Sequence, residues 1–145
     1  MEVKIRKLNE YARMPRRGSA QAAGYDLYAA CEAPVRIAPH ATEKIGTALS
    51  AQIPEGYFGG IFARSSLASK RSLRPANCVG VVDADYRGEI IVALHNDSEK
   101  EQVIEPGERI AQLVILPFLS VEFTEASELS GTERGSGGFG STGMK

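Results

Sequence analysis

The stretch KIGTALSAQI, Lys44 to Ile53, puts Ile45, Thr47, Leu49, Ala51 and Ile53 on one side of an extended chain and mostly polar or small residues on the other. Successive side chains of a strand point to opposite faces, so this period of two predicts one half-buried strand. The alternation recurs in Val3 and Ile5 against Lys4 and Arg6, and in Ile90, Val92 and Leu94 within GEIIVALHN. IAQLVILPFL is nearly all apolar, which predicts a strand covered on both faces. Pro54-Glu55-Gly56, Arg87-Gly88 and Pro106-Gly107 supply turns between such segments. Many short strands punctuated in this way predict an all-β protein, an antiparallel sandwich or barrel.

One segment breaks the period. SSLASKR, Ser65 to Arg71, suits two helical turns with a serine as N-cap and Pro75 beyond the end. The 145 residues suit one domain, which at that length buries roughly 70% of its unfolded surface. The formal net charge is −1, so no long-range field draws in nucleic acid or an anionic membrane. No apolar run approaches the ~18 residues of a membrane span, and MEVKIRKLNE lacks the apolar stretch of a secretion signal. The expected setting is the cytoplasm, or the nucleus for a eukaryotic or viral chain, with neither nucleic acid nor membrane as partner. Cys31 and Cys78 lie outside any CxxC spacing and read as buried free thiols. His40 and His95 are few for a zinc site and read as surface or strand-packing residues.

Residues 131–145, GTERGSGGFGSTGMK, differ in kind. Six glycines and one aromatic, Phe139, cannot pack a core, so a β domain over 1–130 is expected to carry a flexible arm over 131–145. Glycines let successive N–H groups turn inward around phosphate oxygens, and Arg134, Ser136, Ser141 and Thr142 add donors. Phe139 offers a flat face to a nucleobase. A plain mobile tail with an accidental aromatic accounts for the composition equally well.

Other candidates lie upstream. Arg64, Ser65 and Ser66 stand where a strand meets the short helix, and N–H groups at a helix start favour anions; a solvent-facing arginine with capping serines is the simpler local account. In Gly80 to Gly88, Asp83 follows apolar or small residues at the edge of a buried hairpin. A partly desolvated carboxylate there suits general-base work on a water. Tyr86 could pack against a sugar face, although an Asp-rich turn with a structural tyrosine fits as well. Gln112 is the odd polar residue in its apolar run and needs partners. Asp26, within Gly24 to Tyr28, could hold a metal-bound water or an arginine. Residue types and spacing alone lead to a β-rich protein that binds a phosphate-bearing ligand.

Taken in order, AAGYDLYAA, ARSSLASK, NCVGVVDADYRGE, PGERIAQLVILP and TERGSGGFGSTG resemble the five motifs of the trimeric dUTPase family. They spread over residues 22–142, and the third and fifth are highly specific. The resemblance implies a jelly-roll-like β-barrel assembled as a homotrimer with composite sites. It implies hydrolysis of dUTP to dUMP and pyrophosphate by water attack at the α-phosphorus, which limits uracil incorporation into DNA and supplies dUMP for thymidylate synthesis. By resemblance, Asp83 orients and activates the water, and Tyr86 lies under the deoxyribose and excludes ribonucleotides. The hairpin from Asn77 to Asp83, Val82 included, receives uracil, Asn77 through its side chain and the rest through backbone groups. Arg64, Ser65, Ser66 and Gln112 lie on the phosphate side. The arm closes over a neighbour's site, with Phe139 on uracil, Arg134, Ser141 and Thr142 on phosphates, and Gly140 among the binding residues. Mg2+ is held by phosphates and water with no direct protein ligand, Asp26 supporting its water shell.

The chain departs from the family pattern at Ala63, where proline is usual before the arginine, and at Ser66, where glycine is common. KRSLRPAN, Lys70 to Asn77, is more basic than the pattern and reads as a solvated helix end. The nearest rival, dCTP deaminase, shares the fold and needs a glutamate near the exocyclic amine; Glu89 is expected on a strand surface instead. A dUTP sensor without catalysis would lack the base or the arm, and both Asp83 and the arm are present.

Overall fold

The computed structural model describes residues 1–138. Its strands begin with β1 (Lys4–Lys7), β2 (Arg16–Arg17), β3 (Tyr25–Tyr28), β4 (Val35–Ile37), β5 (Thr42–Gly46), β6 (Leu49–Gln52) and β7 (Tyr57–Phe62). The helix α1 (Ser65–Arg71) follows, then β8 (Leu73–Pro75), β9 (Gly80–Val82), β10 (Ile91–Asn96), β11 (Gln102–Ile104) and β12 (Arg109–Pro117). The largest sheet has the order β2-β3-β12-β7-β9, a second has β5-β10-β8, and β1-β6 and β4-β11 form two pairs. Every pairing is antiparallel. Leu27, Ile37, Ile45, Leu49, Leu94, Ile104 and Ile110, drawn from all of these layers, are fully buried in one core. The all-β, jelly-roll-like expectation with one short helix holds.

Lys44 to Ile53 is not the single strand its alternation predicts. The chain leaves β5 after Gly46 and enters β6 at Leu49, with Ala48 between them at φ 51°. β5 pairs with β10 whereas β6 pairs with β1, so the segment changes sheets at a corner. Thr47 Oγ1 donates to the Ile90 carbonyl at 2.7 Å, the Ala48 N–H donates to Glu89 Oε1 at 2.7 Å, and the Ile90 N–H donates to the Leu49 carbonyl at 2.8 Å. Because the corner itself is enclosed, Ala48 and Ser50 are buried along with Thr47 and Leu49. Period two survives in the sequence while both faces lose solvent.

β12 is central, between β3 and β7, but only Ile110 and Ala111 are consecutive buried residues; Val114, Ile115 and Leu116 stay half-buried in the isolated chain. Both-face coverage therefore holds at the start of the strand and not along it. Helix α1 starts where expected, with Arg64 rather than a serine as N-cap and no side-chain cap bond. The Arg64 side chain is engaged elsewhere, and Ser69 Oγ donates back to the Ser65 carbonyl at 2.7 Å. Ser72, left-handed at φ 53°, ends the helix by donating its N–H to the Leu67 carbonyl.

The basic stretch at the helix end is solvated only in part: Lys70 is exposed, whereas Arg71 and Arg74 are engaged with acidic partners. Arg71 reaches Gln102, Glu108 and the Val103 carbonyl, tying α1 to the β11–β12 turn, and Arg74 pairs with Asp97. The two thiols are free, but Cys78 is exposed and Cys31 only half-buried, because Cys78 sits in a left-handed turn at φ 64° outside the core. His40 is exposed, and His95 packs within β10 beside Thr42. Residues 118–138 carry neither helix nor strand, and Leu119, Phe123 and Leu129 are almost fully exposed. No helix among the described residues is long and apolar enough to cross a membrane.

Candidate active site

Strand register brings the first cluster together. Gln112 of β12 lies opposite Asp26 of β3 on one side and Phe62 of β7 on the other. The chain leaving β7 at Ala63 and Arg64 thus passes the same level of the sheet. Arg64 Nε donates to Asp26 Oδ1 at 2.8 Å, and Arg109 Nη1 donates to Asp26 Oδ2 at 3.2 Å. The Asp26 side chain is 15% exposed and that of Arg64 20%, so the pair is held in a shielded niche. Charge-assisted bonds of this type fix the direction of a guanidinium as well as its charge. Arg64 Nη1 also lies 3.5 Å from Ser66 Oγ, while Ser65 and Ser66 present their hydroxyls at the surface.

Gln112 holds the turn that carries Arg64: its Nε2 donates to the Ala63 carbonyl at 2.9 Å. A Cβ on Gly24 would lie 3.0 Å from Gln112 Cδ and 3.2 Å from its Cβ, so a side chain there displaces the amide. Glycine at 24 leaves room for the amide that orders the turn. Arg109 was not singled out by residue type, although it lies inside PGERIAQLVILP. Its role follows from distance alone, since only the β3–β12 register brings Arg109 to the second oxygen of Asp26.

The second cluster lies across β7. β9 pairs with β7 so that Gly80 faces Ile61 and Val82 faces Gly59. β8 belongs to the other sheet, so Ala76 to Val79 is a crossover between sheets rather than the tip of a paired hairpin. Where the sheets part, Asn77, Gly80, Val82 and Tyr86 line a pocket of about 210 Å³ with Ile61 and Val92. Two larger clefts, of about 470 and 420 Å³, lie beside Glu55 and Arg87 and beside Val3 and Tyr25. They are wider, and neither is lined by Asn77, Gly80, Val82 or Tyr86.

The turn after β9 is tightly tied. The Tyr86 N–H donates to the Asp83 carbonyl at 3.2 Å, Arg87 Nη1 reaches the Ala84 carbonyl at 2.6 Å, and Ser50 Oγ donates to the Arg87 carbonyl at 2.7 Å. Asp83 is exposed, contrary to the expected partial burial. The turn lifts it off the sheet, and none of the described residues buries it. Glu89, expected on a strand surface, is half-buried and holds the Ala48 amide. In the arm, Arg134 is exposed and donates to the Gly137 carbonyl at 2.8 Å. Phe139, Gly140, Ser141 and Thr142 lie outside the described residues. Among the described residues, no group of three or more His, Cys, Asp or Glu side chains is arranged to hold a metal ion.

A ring-sized pocket and, apart from it, an arginine-carboxylate cradle suit a nucleotide-binding protein. The dUTPase family profile matches residues 10–143. The chain is 48% identical over its full length to the deoxyuridine 5'-triphosphate nucleotidohydrolase of Hydrogenobaculum sp. strain Y04AAS1, all of which is covered. It is 45% identical over 98% of its length to that of Oryza sativa subsp. japonica, covering 81% of the plant protein. Among solved structures it resembles a variant dUTPase of Staphylococcus bacteriophage 80alpha with dUpNHpp, at TM-score 0.91 and 33% identity, covering 99% of each chain. It also resembles a variant of the phage phi11 dUTPase described with a structural Mg(II) ion, at TM-score 0.80 and 28% identity, covering 88% of this chain and 98% of that one. The chain belongs to the dUTPase family.

Proposed function

We propose that this chain hydrolyses dUTP to dUMP and pyrophosphate, in sites that more than one copy of it completes. The observation that carries this reading is the placement of Asp83 relative to Arg64. Val82, next to Asp83, faces Gly59, and Arg64 lies five positions beyond Gly59, just past the end of β7, so at ~3.3 Å per residue Val82 and Arg64 stand on the order of 15 Å apart. A phosphate on Arg64 of one copy and a water on Asp83 of another can meet at an interface. The homotrimer is the assembly that the resemblance to the family implies, and it fits a site shared between copies. Leu119, Val121 and Phe123 alternate along the exposed segment after β12, and an apolar groove lined by Val3, Tyr25 and Ile115 offers a surface for another copy.

In this reading uracil enters the pocket at Asn77, Gly80 and Val82, and Tyr86 lies beneath the sugar. Arg64, Ser65, Ser66 and Gln112 serve the phosphates, Gln112 partly by holding the Ala63 turn. Asp83 takes the proton of a water whose oxygen bonds to the α-phosphorus as the bridging bond to the β-phosphate breaks, releasing pyrophosphate. In-line displacement needs positioning and charge neutralisation more than covalent catalysis. The arm, residues 131–145, closes from a further copy with Arg134, Phe139, Gly140, Ser141 and Thr142, and shields the exposed Asp83 from water. Mg2+ carried by the triphosphate neutralises phosphate charge when bound, and the acidic side chain nearest the phosphate cradle is Asp26.

Pyrophosphate release from dUTP, with dCTP, UTP and dTTP alongside and with and without Mg2+, tests the reading. Fast Mg2+-dependent release from dUTP alone is expected. Binding of dUTP without cleavage would make the chain a sensor, and ammonia released from dCTP would make it a deaminase.

A further inference from the structure

The Tyr86 side chain turns back along its own chain. Its hydroxyl donates to the Glu89 carbonyl at 3.0 Å, which draws the ring across Gly88. A Cβ on Gly88 would stand 2.5 Å from Tyr86 Cζ and 2.9 Å from Cε2. Carbon atoms pack best at about 3.5–4.0 Å, so the ring and a side chain at 88 compete for the same volume. The backbone does not demand glycine here, since Gly88 is not among the positive-φ residues. What demands it is the ring.

The surrounding backbone has little freedom to give way. Arg87 Nη1 bonds the carbonyls of Ala84 and Tyr86 at 2.6 and 2.9 Å, and Ser50 Oγ bonds the Arg87 carbonyl. On the far side, Glu89 is tied to the Ala48 amide at the sheet corner. Relief must come from rotation of Tyr86, an exposed side chain that can swing outward at small cost to the fold. Such a swing breaks its bond to the Glu89 carbonyl and moves the ring relative to the pocket it helps to line.

We propose that Gly88 is a positioning residue that sets the plane of the Tyr86 ring and through it the discrimination between deoxyribo- and ribonucleotides. The inference rests on the reading that Tyr86 lies beneath the sugar. Gly88 touches no substrate atom; it acts by leaving space.

The test compares kcat and KM for dUTP and UTP, with Mg2+, in full-length chains carrying Gly88→Ala, Tyr86→Ala or both. Gly88→Ala is expected to remain folded and to lower the dUTP-to-UTP ratio of kcat/KM by roughly tenfold or more. The double variant is expected to match Tyr86→Ala alone, because no ring remains to be displaced. A Gly88→Ala ratio equal to the parent's overturns the inference, as does a further loss in the double variant. If Tyr86→Ala itself leaves the ratio unchanged, the reading of Tyr86 fails first, and the two failures are thus distinct. Tyr86→Phe provides a second route should Gly88→Ala fold poorly. It frees the ring from the Glu89 carbonyl without adding bulk, so a lowered ratio is expected and an unchanged one counts against a fixed ring plane.

Discussion

Arg64 and Asp26 are 38 positions apart in sequence and form one bond, Nε to Oδ1 at 2.8 Å, while Arg109 reaches the other carboxylate oxygen at 3.2 Å. One carboxylate on β3 therefore aims two arginines from different segments. Both members of the first pair are largely shielded, which places the contact outside the class of freely screened surface ion pairs. Asp26→Asn keeps the shape but offers one guanidinium an N–H group in place of an acceptor. kcat/KM for dUTP is expected to fall on the order of 100-fold, as misplaced binding groups generally cost. Parent-like turnover in steady-state assays would take Asp26 out of the site.

Asp83 is exposed, and among the described residues its only hydrogen bond is through its backbone carbonyl to the Tyr86 N–H, so replacing its side chain disturbs little else. Asp83→Asn is expected to bind dUTP as the parent does, by calorimetry, while kcat drops about 100- to 10,000-fold. Retained kcat would assign the proton transfer elsewhere.

Ending the chain after Leu129 removes the glycine-rich arm and leaves every strand in place. Turnover of dUTP is expected to fall at least tenfold or so through lost positioning, with the oligomer unchanged by light scattering. Undiminished kcat would show that the arm does not close the site.

Asn96 is fully buried at the end of β10. Its Nδ2 donates to the carbonyls of Ile37, Ala38 and Lys100, and its Oδ1 accepts from the Ser98 N–H and hydroxyl. Asn96→Ala leaves those groups without a buried partner and is expected to cost about 3 kcal/mol in urea unfolding. A loss below about 1 kcal/mol, the worth of one ordinary hydrogen bond, would mean that water replaces the amide.

The thiols differ in accessibility. Burial pushes the Cys31 thiol up from its ordinary range, Glu105 adds to the rise, and a backbone hydrogen bond opposes it. Cys78 is exposed. Alkylation of the native chain near neutral pH, mapped by mass spectrometry, is expected to label Cys78 well before Cys31. With a folded pKa above the unfolded one, Cys31 contributes stability that is present below the unfolded value and fades as pH rises through the folded value. Equal labelling of the two sites would contradict the lower accessibility of Cys31.

Strand content was readable because side-chain parity is a local property. Ile90, Val92 and Leu94 alternate in sequence and are buried as expected. The sheet change at Thr47 and Ala48 was not readable, because what bends the chain is a set of bonds to Ile90 and Glu89, 41 to 43 positions away. The site divides in the same way. Asp26, Arg64, Gln112, Asp83 and Tyr86 stand out by residue type and motif, whereas Arg109 and Gly88 acquire meaning only beside Asp26 and the Tyr86 ring.

The sequence alone thus determined the all-β class, the short helix, the glycine-rich arm and the family, since local periodicity, turn chemistry and motif order need no folded partner. Tertiary structure alone decided that Asp26 joins two arginines, that Asp83 stands exposed, and that Arg71 braces the helix instead of facing water. Those are questions of distance between segments remote in sequence, and only register and packing set such distances.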